Sequence, residues 1–257
     1  MIPQSYITAW RKQAPWQENY QVEQDLIIQR TLIALFNDDF IRKRLAFRGG
    51  TALHKLFLAP AARYSEDIDL VQIKAEPFGA IIDKIREQLS FLEKPRIKQK
   101  EHNNTIVYSI LSEDEVPIKL KIEVNTREHF SVYGLQDIPV KMDSEWHTGE
   151  ALVTTYELEE LLATKLRALY QRKKGRDLFD LWYALNNAEV NIDKVIEAFR
   201  HYMNEEGNRV SQKEFIANME MKIEDADFVG DMRGLLRSGI AYNINEAYEF
   251  VKRNIRK

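Results

Sequence analysis

Leu45-Ala-Phe-Arg-Gly-Gly-Thr-Ala-Leu-His-Lys-Leu-Phe57, followed after a short loop by Arg63-Tyr-Ser-Glu-Asp-Ile-Asp-Leu-Val-Gln72, is the stretch that decides how this chain folds. Its first half reads as a strand that enters a double-glycine turn and leaves it as a helix beginning near Thr51. Its second half reads as a strand carrying two aspartates one residue apart. Side chains alternate across a strand, so Asp67 and Asp69 share one face and Ile68 and Leu70 point to a core. Two carboxylates this close repel one another. A cation between them removes the repulsion, and hard oxygen donors suit Mg²⁺ (or Mn²⁺), which is usually completed by water and substrate phosphates. Gly49 and Gly50 permit a sharp turn and close approach of a ligand to the backbone. The N–H groups at the helix start, that of Thr51 among them, suit a phosphate. An anion cradle beside a two-acid strand is the equipment of metal-assisted phosphoryl transfer. Each half alone also fits a bland role, a plain turn or a solvated strand face. The signal lies in their order and spacing.

Two later segments add charged groups to this picture. From Val116 to Asn125, Ile118, Leu120, Ile122 and Val124 alternate with Lys119, Lys121, Glu123 and Asn125, which predicts a strand with Glu123 on its polar face. That face is either a half-exposed Lys/Glu ladder or the seat of a third carboxylate, able to ligate a metal or accept a proton from an attacking hydroxyl. From Tyr156 to Arg172, Leu158, Leu161, Leu162, Leu166 and Leu169 form a helical stripe, with Thr155 as the expected N-cap. Lys165 falls inside that stripe. A buried, unpaired ammonium is costly, so Lys165 either snorkels to solvent or reaches an anion. Gly175 reads as the end of this helix, and Arg176-Asp-Leu-Phe-Asp-Leu-Trp-Tyr183 as the start of the next. Asp177 lies nearer the second helix's apolar stripe than Asp180 and is the better candidate to pair with Lys165. Arg167, Arg172, Lys173, Lys174 and Arg176 make a basic corner, either a solvated face or a seat for triphosphate or RNA.

These segments resemble the motifs of the AbiEii/AbiGii toxin family, nucleotidyltransferase-like proteins of the polymerase-beta superfamily. Phe47–Leu56 with Arg63–Leu70 is similar to the first motif, Ile122–Glu128 to the second and Glu159–Leu169 to the third. The Arg176-Asp-x-x-Asp180 element follows, as in the family. The resemblance implies an α+β fold: a nucleotidyltransferase-like mixed sheet flanked by helices, followed by a mainly helical C-terminal part. It implies transfer of a nucleoside monophosphate from an NTP to an acceptor (RNA such as tRNA, or protein). It also implies the toxin of a toxin–antitoxin or phage-defence system, with an antitoxin encoded nearby, a direct complex with it being left open. Carried over residue by residue, it makes Asp67, Asp69, Glu123, Lys165 and Asp177 catalytic. Gly49, Gly50, Thr51, Arg63, Ser65 and Lys165 are assigned to nucleotide or phosphate, and Asp67, Asp69 and Glu123 to the metal. Two rival readings share these residues: a non-catalytic nucleotide- or RNA-binding regulator, and a phosphotransferase that moves a terminal phosphate.

Bulk properties are compatible with this and exclude some alternatives. The 257 residues are 44% hydrophobic and 30% charged, enough for one large domain or two smaller ones. The expected division is 1–150 and 151–257, with 130–149 read as short strands and a hinge. No cysteine is present, so disulfides and thiolate metal sites are excluded. A net charge of -3 argues against a protein that coats nucleic acid non-specifically. Met1–Trp10 lacks a basic start followed by an apolar run, and no apolar run approaches a membrane span. A cytoplasmic location is therefore expected. Helices are predicted over 18–36 and 77–91, and a hairpin pairs 96–101 with 105–111 around Asn103-Asn104. Further helices lie near Val195–Phe199, Phe215–Met219 and Tyr242–Val251, ahead of a basic tail, Lys252–Lys257. His54 reads as a packed helical residue.

Overall fold

The computed structural model describes residues 2–255; Met1, and Arg256 and Lys257 of the expected basic tail, lie outside them. The chain forms two compact units. One comprises the residues up to Ser131 together with Leu135–Tyr156; the other comprises Val132–Gly134 and the residues from Glu157 onward.

The first unit contains α1 (Gln4–Trp10), α2 (Asn19–Phe36), α3 (Asp39–Arg42), β1 (Leu45–Arg48) and α4 (Gly49–Ala52), which continues as a π-helical turn over Leu53–Phe57. It goes on with β2 (Asp67–Gln72), α5 (Gly79–Gln88), β3 (Arg96–Lys100), β4 (Asn103–Leu111), β5 (Pro117–Asn125), β6 (Leu135–Asp143) and β7 (Thr148–Tyr156). The seven strands described form one mixed sheet in the order β3-β4-β5-β2-β1-β7-β6. β2 runs antiparallel to β1 and parallel to β5, so the two-acid strand is central. Its buried residues Ile68, Leu70 and Val71, with Leu120, Ile122 and Val124 of β5, are at most 1% exposed. Burial of each such side chain stabilises the sheet by about 1.5–3 kcal/mol.

Helix α2 is buried on more than its apolar stripe: Gln21, Glu23, Gln24 and Asp25 are buried as well. Buried polar groups need partners, and Gln24 uses them to hold the sheet. Its Nε2 donates to the carbonyls of Glu66 (3.2 Å) and Lys119 (3.1 Å), and its Oε1 accepts from the Tyr64 hydroxyl (2.7 Å). Glu66 precedes β2 and Lys119 lies in β5, so this one side chain ties the two strands at one end. His54 is buried in the π-helical turn, as a packed residue should be.

Several sequence expectations are corrected in this unit. The supposed hinge over 130–149 is largely a hairpin: β6 and β7 pair through nine positions, from Leu135↔Tyr156 to Asp143↔Thr148. Pro139 is accommodated because β6 lies at the sheet's edge, where a missing N–H is tolerated. β7 runs through to Tyr156, where the last segment of the first unit ends. Thr155 is no helix cap; it lies in β7, and its hydroxyl donates to the Phe47 carbonyl at 2.7 Å. Asn103-Asn104 begins β4, and the turn is made by Glu101 and His102.

The second unit contains α6 (Leu158–Gln171), α7 (Gly175–Asn187), α8 (Ile192–Glu205), α9 (Gln212–Ile223), α10 (Ala226–Gly230) and α11 (Ile244–Asn254). α6 packs on α7 and α8, and α7 packs on α11. No helix among the described residues is long and apolar enough to cross a membrane. Gly175 begins α7 and does not end α6; a Cβ there would stand 2.2 Å from the Phe228 carbonyl oxygen. The Val132–Gly134 segment joins this unit through Glu160, which is fully buried. Its carboxylate accepts from the Val132 and Tyr133 backbone N–H groups (2.8 and 3.1 Å) and from the Tyr202 hydroxyl (2.8 Å). Glu160→Ala leaves three donors without this partner and is expected to destabilise the second unit by about 3 kcal/mol or more. Urea denaturation followed by far-UV circular dichroism checks this.

Candidate active site

In the first unit the geometry starts from strand register. Asp69 stands opposite Glu123, and Asp67 opposite Lys121, across the parallel β2–β5 pair. Residues opposite one another in a ladder share a face, so both aspartates, Glu123 and Lys121 line one polar side. The acids are partly exposed there, with side-chain exposures of 37% for Asp67 and 31% for Glu123.

Lys121 lies between two of them. Its Nζ is 3.4 Å from Asp67 Oδ2 and 3.4 Å from Glu123 Oε1. Burial acts to lower its pKa, but Asp67 and Glu123 outweigh burial and hold the ammonium above its ordinary value. The sequence placed Lys121 only in a Lys/Glu ladder. Alternation puts it two residues from Glu123 on the same face, and that was the available signal. Its destination depends on the β2–β5 register, which no local pattern encodes.

Gly49 serves Asp69 directly. Its φ is +82°, and a Cβ there would lie 2.2 Å from Asp69 Oδ2. The double glycine therefore turns β1 into α4 while leaving room for an acid side chain. Gly49→Ala combines a left-handed backbone with a collision and is expected to destabilise the protein by about 1–3 kcal/mol. A thermal melt against wild type measures it.

Thr51, Arg63 and Ser65 have internal partners. The Thr51 hydroxyl donates to the Asp67 carbonyl (2.5 Å), so it accepts from the Ser65 hydroxyl (2.8 Å). Arg63 is 2% exposed and donates to the Tyr64 carbonyl at 3.1 Å. The Thr51 hydroxyl thus ties the glycine turn to Ser65 and to the start of β2.

Arg48 is a site residue that sequence reasoning passed over, although it lies inside the quoted stretch. It pairs with Asp69 in the β1–β2 ladder and is ion-paired with Glu128. Burial pulls the Arg48 pKa down, but Glu128, Tyr156 and Asp69 together hold it above its ordinary value. Asn125 Oδ1 accepts from the N–H groups of Arg127 and Glu128 (2.9 and 3.0 Å), a turn that presents Glu128 to Arg48. Arg48, Asp69, Leu70, Asn103, Glu123 and Asn125 line a cavity of about 120 Å³.

Among the described residues, no three His, Asp or Glu side chains are gathered tightly enough to enclose an ion. The donor set nevertheless fits a hard cation. It offers only oxygen, from two strands in register, and an ammonium already stands between two of the acids.

The second unit holds its own charged cluster. Lys165 is buried, with Nζ 3.1 Å from Asp177 Oδ1 and 2.9 Å from Asp180 Oδ2. Both aspartates are 0% exposed. Arg172 completes the group, its Nε 2.7 Å from Asp177 Oδ2 and its Nη2 2.9 Å from Oδ1. Burial would raise the Asp177 pKa; Lys165 and Arg172 outweigh burial and keep it below the ordinary carboxylate value. Lys165 thus neither snorkels nor lacks a partner, and both candidate acids reach it. The basic corner is also largely paired: Lys173 with Asp225 (2.9 Å), and Lys174 and Arg176 with Asp231 (3.6 and 3.7 Å).

The chain thus sets a glycine turn beside a central two-acid strand, within a mixed sheet flanked by helices. A profile of the family described as "Nucleotidyl transferase AbiEii toxin, Type IV TA system" matches residues 30–250, and the chain belongs to that family. The fold is shared with MenT4, a nucleotidyltransferase toxin from Mycobacterium tuberculosis. That likeness has a TM-score of 0.64 at 14% identity, over 99% of this chain and 89% of the other. The crystal structure of a candidate nucleotidyltransferase from H. pylori gives a TM-score of 0.57 at 16% identity, over 93% and 94% of the two chains. No curated protein matches by sequence.

Proposed function

We propose that this toxin-family protein is a metal-dependent nucleotidyltransferase that moves a nucleoside monophosphate from an NTP to an acceptor hydroxyl and releases pyrophosphate. The observation that carries this is the shared face of Asp67, Asp69 and Glu123, two acids on a central strand with the third directly across the ladder. Asp67 and Asp69 hold Mg²⁺ or Mn²⁺, with Glu123 as a further ligand or as the base for the acceptor hydroxyl. A bound divalent cation supplies charge neutralisation at the triphosphate and acidifies the attacking group. Gly49 and Gly50 let the triphosphate approach the backbone. Lys165 stabilises charge that develops on the phosphates, and Asp177 orients it. RNA, tRNA in particular, is the favoured acceptor class, with protein as the other. The protein acts in the cytoplasm as the toxin of a toxin–antitoxin or phage-defence pair.

Labelled NTP distinguishes this from its rivals. Label at the α-phosphate is expected to appear on the acceptor, with pyrophosphate as co-product. Label transferred only from the γ-position identifies a phosphotransferase. Nucleotide binding without transfer, unchanged in Asp67→Asn, identifies a regulator.

A further inference from the structure

The ammonium between the acids has a consequence for metal binding. Lys121 Nζ stands equidistant, at 3.4 Å, from Asp67 on its neighbouring strand and Glu123 on its own. A divalent cation held by those acids needs the same oxygens. Ammonium and metal cannot both occupy the space, because like charges at such distances repel strongly. The Lys121 side chain is 35% exposed, so it has open solvent to move into. Its backbone is fixed by the β4 and β5 ladder, whereas its four-carbon stem is flexible.

We propose that Lys121 is a built-in counter-ion for the acidic face: it holds Asp67 and Glu123 in place while no metal is bound, and an incoming divalent cation displaces it. This rests on the metal-dependent reading above and adds to it a competitor within the chain. The competition lowers metal affinity and suppresses repulsion among the acids in the metal-free protein. Half-exposed ion pairs are weak, each equivalent to about one- to fivefold in an equilibrium constant. The two pairs, with relief of carboxylate repulsion, set the expected effect at about five- to tenfold.

The test is direct Mn²⁺ binding without nucleotide, read from the free-ion electron paramagnetic resonance signal, on wild type, Lys121→Met and Asp67→Asn. Lys121→Met is expected to bind Mn²⁺ about five- to tenfold more tightly than wild type. Its metal-free thermal midpoint should fall, and saturating Mn²⁺ should restore it. Lys121→Gln gives the same comparison should Lys121→Met fold poorly. Binding by Lys121→Met no tighter than wild type, with wild type binding normally, overturns the counter-ion proposal and leaves the metal site standing. Absence of Mn²⁺ binding in both wild type and Lys121→Met overturns the metal reading itself, and the counter-ion with it.

Discussion

Asp69→Asn is expected to lower nucleotide transfer by about a thousandfold or more while leaving the fold intact. Asparagine keeps the shape that Gly49 accommodates, since the carboxylate oxygen nearest that glycine becomes an amide group of similar size. It removes the negative charge that a divalent ion requires. Stability should change little. Asp69 faces Glu123 across the ladder, so loss of its charge relieves a repulsion and offsets the support it gives Arg48. Unfolding free energy is therefore expected within about 1 kcal/mol of wild type. Steady-state transfer and a urea melt on one preparation check both halves. A large loss of stability alongside activity would place Asp69 among the structural residues.

Lys165→Met has the second largest expected effect, and here stability moves first. The substitution removes the ammonium from two carboxylates that have no exposure. Breaking a buried pair from one side typically costs about 3–5 kcal/mol. Arg172 still covers Asp177, whereas the ion pair between Lys165 and Asp180 is lost. Adding Asp180→Asn should recover much of that stability, because an amide needs no cation. Activity then separates the two roles assigned to this lysine. If Lys165 only holds α6 to α7, the double variant regains transfer along with stability. If its ammonium also serves the triphosphate, stability returns and transfer stays low, which is the outcome expected here. The cluster also fixes an acid limit. Asp177 has a folded pKa below its unfolded value, so its contribution is fully present above the ordinary carboxylate pKa of about 4. It is lost as pH falls from there through the depressed folded value. Wild-type melts should show this loss below about pH 4, and Asp177→Asn should flatten it.

Much of the candidate site's geometry was legible because it follows from local pattern. The glycine turn, the alternation around Asp67 and Asp69, and the face of Glu123 depend only on strand periodicity. The leucine stripe of α6 was equally plain, and so was the anomaly of a lysine inside it. What stayed hidden depends on pairing across the chain. Lys121 gains meaning only when β5 lies beside β2. The basic corner looked open to phosphate until Asp225 and Asp231, some fifty residues later, were seen against it. Thr155 looked like a helix cap because it lies just ahead of the leucine stripe, yet its hydroxyl belongs to β1. The segment 130–149 reads as short strands and a hinge because it has little periodicity, and its continuous hairpin appears only in the pairing of β6 with β7.

Incubation of the protein with each NTP labelled at the α-phosphate, Mg²⁺ and total RNA, alongside Asp69→Asn and a chelator control, bears most directly on the acidic face as the catalytic centre. Label is expected on RNA with wild type alone, and chelation should abolish it. Equal labelling by wild type and Asp69→Asn would contradict the assignment of that face to catalysis.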